Sequence, residues 1–197
     1  MNPQDIVTGL ILCGGRGSRM GNVDKGLQNF RNAPLALHAL MRLGPQVNNV
    51  MINANRNLSA YEGFGVPVIL DSRADYPGPL AGFEAGLAQC QTEYLLTVPC
   101  DVPFLPADLA ERLLNAALLA DKPIAYPITG KQPQPVFCLM RTDMLHSLTK
   151  FMDKGERKID IWTAQGGCVE VPFDDCPQAF ENANTLEELR ALEKAAP

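Results

Sequence analysis

The chain has 197 residues, a formal net charge of −5, 46% apolar residues and 20% charged ones. That balance is typical of a soluble globule and excludes a general binder of nucleic acid or anionic membrane. At this length a single domain spanning 1–197 buries roughly 70% of its unfolded surface, and with neither a spanning run nor a signal-peptide pattern a cytoplasmic location is expected.

The first predicted element is the apolar run Ile6 to Leu12, of the kind that makes a strand buried on both faces. It opens into LCGGRGSRMGNVDKGL, where Gly14, Gly15, Gly17 and Gly21 are interleaved with Arg16, Arg19 and Lys25. Glycines let backbone N–H groups turn toward a ligand, and the cations match phosphate. No acidic residue lies between Ile6 and Val23, although the protein as a whole is acidic. This local reversal of charge points to a polyphosphate cradle. The pattern is neither a P-loop, which closes on Gly-Lys-Ser/Thr, nor the dinucleotide fingerprint, whose third Gly is replaced by Met20.

Beyond the loop, Pro34 opens a helix with Leu37, Leu40 and Met41 on one side, ending near Gly44-Pro45. A strand at Asn49 to Ile52 delivers Asn53 and Asn55, and one at Val66 to Leu70 delivers Asp71. A helix at Leu80 to Cys90, a strand at Tyr94 to Val98 leading into Asp101, and a helix at Pro106 to Ala120 follow. The second half reads as strands at Pro123 to Pro127 and Pro135 to Met140, then helices at Met144 to Met152 and Glu156 to Gln165. A last strand at Cys168 to Phe173 precedes a helix starting at Thr185.

This βαβ repetition predicts an α/β, Rossmann-like fold: a mostly parallel twisted sheet with helices on both faces, and no domain boundary. Ligands in such folds sit beyond the C-terminal strand ends. Gly14, Asn53, Asp71 and Asp101 all fall at that edge. Individually each has a plainer reading as a turn or cap residue, so their convergence is what marks a site. The six cysteines have no metal-ligand spacing and read as small packed hydrophobes. His38 and His146 have no evident nucleophile partner, which argues against a hydrolase triad.

The glycine segment resembles the signature of nucleotidyltransferases that move a nucleoside monophosphate onto a phosphorylated acceptor. With Asp24 directly before Lys25 it is most similar to the molybdenum cofactor guanylyltransferases, apart from Cys13 where that family commonly has alanine. The resemblance implies transfer of GMP from GTP to the phosphate of molybdopterin, with pyrophosphate released. It implies Mg²⁺ held by Asp101, phosphates held by Arg19 and Lys25, and backbone N–H donors at Gly14 and Gly15. It also implies base and ribose near Leu12, Cys13, Asn53 and Asp71.

The N-terminal half would thus bind GTP and Mg²⁺, and the C-terminal half the acceptor. The resemblance places the pterin near Gly78, Gly82, Gln134 to Phe137, Asn182 and Asn184, although Asn184 or Thr185 equally suits a helix cap. Arg157 and Lys158 read as an acceptor-phosphate contact or, more simply, as solvated charges. The implied partners are these two substrates, with transient contacts to other cofactor-biosynthesis proteins or chaperones of recipient molybdoenzymes, and no nucleic acid or membrane. Two alternatives stay open: a cytidylyl- or sugar-nucleotide transferase on the same scaffold, and a nucleotide-binding regulator without turnover.

Overall fold

A computed structural model describes residues 1–14, 24–73, 78–182 and 188–189. The apolar segments of the N-terminal half become parallel strands: β1 (Val7–Leu12), β4 (Asn49–Asn53), β5 (Val68–Ile69) and β6 (Tyr94–Pro99). Every residue of β1 is buried, as a strand covered on both faces requires. Downstream come β7 (Ile124–Thr129), β8 (Gln132–Pro133), β9 (Leu139–Arg141) and β10 (Cys168–Pro172). The sheet runs β10-β7-β9-β6-β1-β4-β5, with β8 paired to β7.

Only β8 and β9 run against the common direction. Strand β9 is antiparallel both to β6 and to β7, so it joins two parallel blocks into one mixed sheet. The expected strand at Pro135 to Met140 is therefore shorter and later. Phe137 N donates to the Gln134 carbonyl in a turn, Cys138 exchanges backbone hydrogen bonds with Thr97, and the strand proper runs from Leu139.

Two apolar layers enclose the sheet. On one face, α2 (Leu35–Leu43) and α5 (Leu109–Ala120) pack Ala36, Ala39, Leu43, Leu109 and Leu113 against Val7, Ile11 and Val98. On the other, α4 (Pro79–Gln89), α6 (Leu145–Asp153) and α7 (Ile159–Gly166) bring Leu80, Phe83, Leu148 and Trp162 onto Leu10, Leu12 and Leu95. Successive strand residues point to opposite faces, so odd positions of β1 serve one layer and even positions the other.

Several boundaries differ from the sequence-based expectation. A helical turn, α1 (Pro3–Ile6), precedes β1, with the Asn2 side chain accepting from Gln4 N. Helix α2 turns a different face inward than expected: Leu35, Ala36, Ala39 and Leu43 are buried while Met41 is 67% exposed. The close-packing α2 thus offers small residues where bulk would keep it off the sheet. Between β1 and α2 lies an unforeseen hairpin, β2 (Asn29–Phe30) with β3 (Ala33–Pro34), turned by Arg31 and Asn32 at positive φ. Helix α5 begins at Leu109 rather than Pro106. The helix expected from Thr185 lies outside the described residues except at Glu188 and Leu189, which are helical.

Candidate active site

The parallel register gathers the strand tips. Leu12 stands opposite Asn53 of β4 on one side and Pro99 of β6 on the other, while Asn53 stands opposite Ile69 of β5. Cys13-Gly14, Asn53 to Asn57, Asp71 and Cys100-Asp101 therefore leave the sheet at neighbouring points on its C-terminal edge. Residues separated by nearly ninety positions meet there.

Asp101 follows β6 and is only 7% exposed. Its Oδ2 lies 3.1 Å from Lys25 Nζ, a charge-assisted contact between the end of the glycine segment and the expected metal-binding carboxylate. Lys25 starts a 3-10 turn, Lys25–Leu27.

Beside this pair, Asp71 is held from three directions. Asn53 Nδ2 donates to its Oδ1 at 2.9 Å and Asn55 Nδ2 to its Oδ2 at 2.8 Å. The backbone N–H of Asp71 returns a bond to Asn55 Oδ1 at 2.9 Å. Each carboxylate oxygen keeps a further lone pair, so Asp71 is a fixed acceptor for hydroxyl or N–H groups of a ligand. Leu12 and Cys13 are buried at the floor, and Gly14 is exposed at the rim.

The expected acceptor residues are placed less uniformly. Gly78 caps α4 at φ +89, in the left-handed region open to glycine. Gly82 is buried in α4, and a Cβ there would come within 2.6 Å of Asn53 Oδ1 and 2.7 Å of Leu12 Cδ2. Its close approach is to the same residues that floor the Asp71 side of the edge. Asn182 is exposed, two residues after the 3-10 turn Pro177–Phe180. Gly15, Arg19 and Asn184 lie outside the described residues.

Sequence reasoning missed two supports. Asp24 is 6% exposed, hydrogen-bonded by Tyr61 and Asn57 and ion-paired with Arg56 at 3.6 Å, although it sits inside the quoted motif. Glu84 of α4 is also buried. It receives Arg73 in a two-pronged contact of 2.6 and 2.7 Å and Thr149 Oγ1 at 2.9 Å, so the segment after Asp71 is fastened to α4 and α6. The Arg73 guanidinium holds the Glu84 carboxyl below its usual range, against an opposing push from burial. The available signal was Glu84 itself, a charge in an otherwise apolar and small helix, PLAGFEAGLAQ.

The cysteines behave as packed thiols, and all six are free. The hydrogen bond with Cys13, and after it burial, push the Cys100 thiol well up, so it stays protonated. His38 contacts the Phe30 carbonyl at 2.7 Å, a tie from helix α2 to the β2–β3 hairpin.

Asp101 suits a magnesium ion of the kind that takes one or two carboxylates and completes its shell with phosphate oxygens and water. Among the described residues no group of three His, Cys, Asp or Glu forms a protein-only cage. A single buried carboxylate beside the Lys25 ammonium would need substrate oxygens and water to complete a metal's shell.

A family model described as a MobA-like NTP transferase domain matches residues 9–166. A molybdenum cofactor guanylyltransferase from Acidovorax sp. is 60% identical over 200 residues, covering 95% of each chain. A protein of the same name from Bordetella pertussis is 57% identical, over 98% of this chain and 100% of its own. The solved molybdopterin-guanine dinucleotide biosynthesis protein A of Archaeoglobus fulgidus shares the fold, with a TM-score of 0.79 at 21% identity, over 95% of this chain and 97% of that one. With its strand-tip site, its motif and relatives of this closeness, the chain belongs to the MobA-like NTP transferases and, among them, to the molybdenum cofactor guanylyltransferases.

Proposed function

We propose that this enzyme transfers GMP from GTP to the phosphate of molybdopterin, forming the guanine dinucleotide and releasing pyrophosphate. The observation that carries the reading is the 3.1 Å Lys25–Asp101 contact at the sheet edge, in a chain 57–60% identical to guanylyltransferases over nearly its full length.

In the reaction an oxygen of the acceptor phosphate attacks the α-phosphorus of GTP. The bond from that phosphorus to the bridging oxygen of the β-phosphate breaks, and pyrophosphate leaves. Such a transfer asks the protein for alignment and for charge compensation more than for covalent help. Lys25 supplies positive charge to the leaving phosphates, and Arg19 adds a second cation from the same segment. Gly14 and Gly15 donate backbone N–H groups. Asp71, set by Asn53 and Asn55, accepts from the base or ribose, with Leu12 and Cys13 beneath. Asp101 would hold Mg²⁺, which when bound would neutralise charge on the phosphate oxygens.

The Lys25–Asp101 pair also means that neither charge is buried without compensation before the nucleotide arrives. With nucleotide bound, the Lys25 ammonium would serve phosphate, and the Asp101 carboxylate would be left to hold a metal ion. The acceptor lies toward Gly78, Gly82, Asn182 and Asn184. No helix among the described residues is long and apolar enough to cross a membrane, and a cytoplasmic location fits a reaction that draws on GTP.

The test is ligand choice followed by turnover. With Mg²⁺ present, GTP should raise the melting temperature more than CTP, because only a ligand bound to the folded state stabilises it. Pyrophosphate should then appear from GTP with molybdopterin present and not without it. Equal stabilisation by CTP, or CTP consumption, would replace the reading with a cytidylyltransferase; binding without any pyrophosphate would replace it with a regulator.

A further inference from the structure

Beneath Lys25 lies a polar cluster to which the proposed function assigns no role. Asp24 Oδ1 accepts from Tyr61 Oη at 2.5 Å, and its Oδ2 accepts from Asn57 Nδ2 at 2.9 Å and lies 3.6 Å from Arg56 Nε. The Asp24 carbonyl accepts from Leu27 N at 3.3 Å and Gln28 Nε2 at 3.4 Å. Burying a carboxylate is costly unless its oxygens are satisfied. Here both are.

The neighbours explain the layout. Asp24 turns into the protein, while the next side chain, Lys25, turns out to Asp101. A Cβ on Gly26 would lie 2.5 Å from Tyr61 Oη and 3.3 Å from Cys13 Sγ. Glycine at that point therefore lets the 3-10 turn rest directly on the tyrosine. Asn57 holds a left-handed backbone, φ 51, a conformation uncommon outside glycine that surrounding contacts must sustain. Burial above all, with Cys13 and the bond to Asp24 adding, pushes the Tyr61 hydroxyl far up, so it remains a proton donor across the working range.

We propose that Asp24 is the positioning residue for Lys25. Anchored by Tyr61, Asn57 and Arg56, its carboxylate fixes the backbone from which the lysine reaches the phosphate and Asp101. A fully satisfied buried network selects one geometry, and one ångström of misplacement at a reacting group is costly to rate. The inference rests on the reading of Lys25 as a phosphate ligand, and it adds that the lysine's value depends on the residue before it.

A double-mutant cycle tests this, with kcat/KM for GTP and the GTP dissociation constant as readouts. Asp24→Asn keeps the shape and removes the charge. In the wild-type background it should lower kcat/KM between about tenfold and a hundredfold; in a Lys25→Ala background, by less than about twofold. If Asp24→Asn does not fold, Tyr61→Phe removes one anchor and enters the same cycle with a smaller loss. Equal losses in both backgrounds would make Asp24 a purely structural residue and overturn the proposal, as would no loss in the wild-type background. If instead Lys25→Ala alone stays within about threefold of wild type, the phosphate-ligand reading itself falls, and the positioning role with it.

Discussion

The C-terminal edge of the sheet is finished in two different ways. At β1, β4, β5 and β6 the chain leaves as Cys13-Gly14, Asn53, Asp71 and Asp101, with Asn53 and Asp101 buried and Asp71 half-buried along a shared edge. At β7 and β10 the same edge is closed by the protein's own chain. Phe173 N donates to the Ile128 carbonyl, and Phe173, Phe180 and Phe137 stack edge to face at 5.3 and 4.9 Å. Arg112 lies 3.6 Å from the centre of the Phe173 ring and pairs with Asp175 at 3.0 Å. The difference shows that strand direction alone does not make a ligand site. Among the described residues, the edge stays free of an aromatic seal only where small or polar residues follow the strands.

The largest effects should separate the two parts by what they change. Asp101→Ala, in the open part, removes the carboxylate assigned to the metal and should cut Mg²⁺-dependent pyrophosphate release by on the order of 10³-fold, leaving the melting curve near that of wild type. Near-normal turnover would remove Asp101 from the metal role. Phe180→Ala, in the closed part, should do the opposite. Deleting a buried ring costs about 3–4 kcal/mol of stability, visible as a lower denaturant midpoint, while kcat/KM measured well below the melting temperature changes little. A strong kinetic effect from Phe180→Ala would mean that the closed part contributes to the site after all.

Lys25→Ala comes next in size. It removes a charge-assisted contact worth about 1.5–3 kcal/mol, or between about tenfold and 150-fold in kcat/KM by the same arithmetic. The loss of affinity should be larger for GTP than for a nucleoside monophosphate, which lacks the leaving phosphates. An equal loss of affinity for both would put the lysine against the base or ribose.

Much of the open part was legible from sequence because it depends on local pattern. A buried-strand signature followed by a polar residue fixes which side chain stands at each tip, so Asn53, Asp71 and Asp101 could be expected at one edge, where the strand register puts them. The closed part was less legible. Strand β9 pairs through only three residues with β6 and two with β7, too short a run to stand out from the turn before it. Met41 has helical spacing yet faces out, because the spacing of apolar residues does not say which of two apolar stripes meets the sheet. Asp24 and Glu84 escaped for another reason: the burial of a carboxylate is decided by partners 37 and 11 residues away, and nothing in the local sequence reports that an acid will be satisfied.

Glu84 offers the finest way to sharpen the comparison, because it supports the open part from behind by an ion pair where the closed part relies on aromatic packing. Its carboxyl is held below the usual value of about 4.3 by Arg73, so its contribution to stability is fully present above that value. Lowering the pH protonates the unfolded chain first, and the contribution is lost as the pH falls through the lower folded-state value. Glu84→Gln should therefore cost about 1 kcal/mol at pH 7, a figure kept small because Arg73 is partly solvated. The gap to wild type should shrink steadily below about pH 4. Chemical denaturation across pH 3 to 7 would show whether the gap closes. A gap that stays constant with pH would mean that Glu84 acts through shape and neutral hydrogen bonds, and that both ends of the edge are held by packing alone.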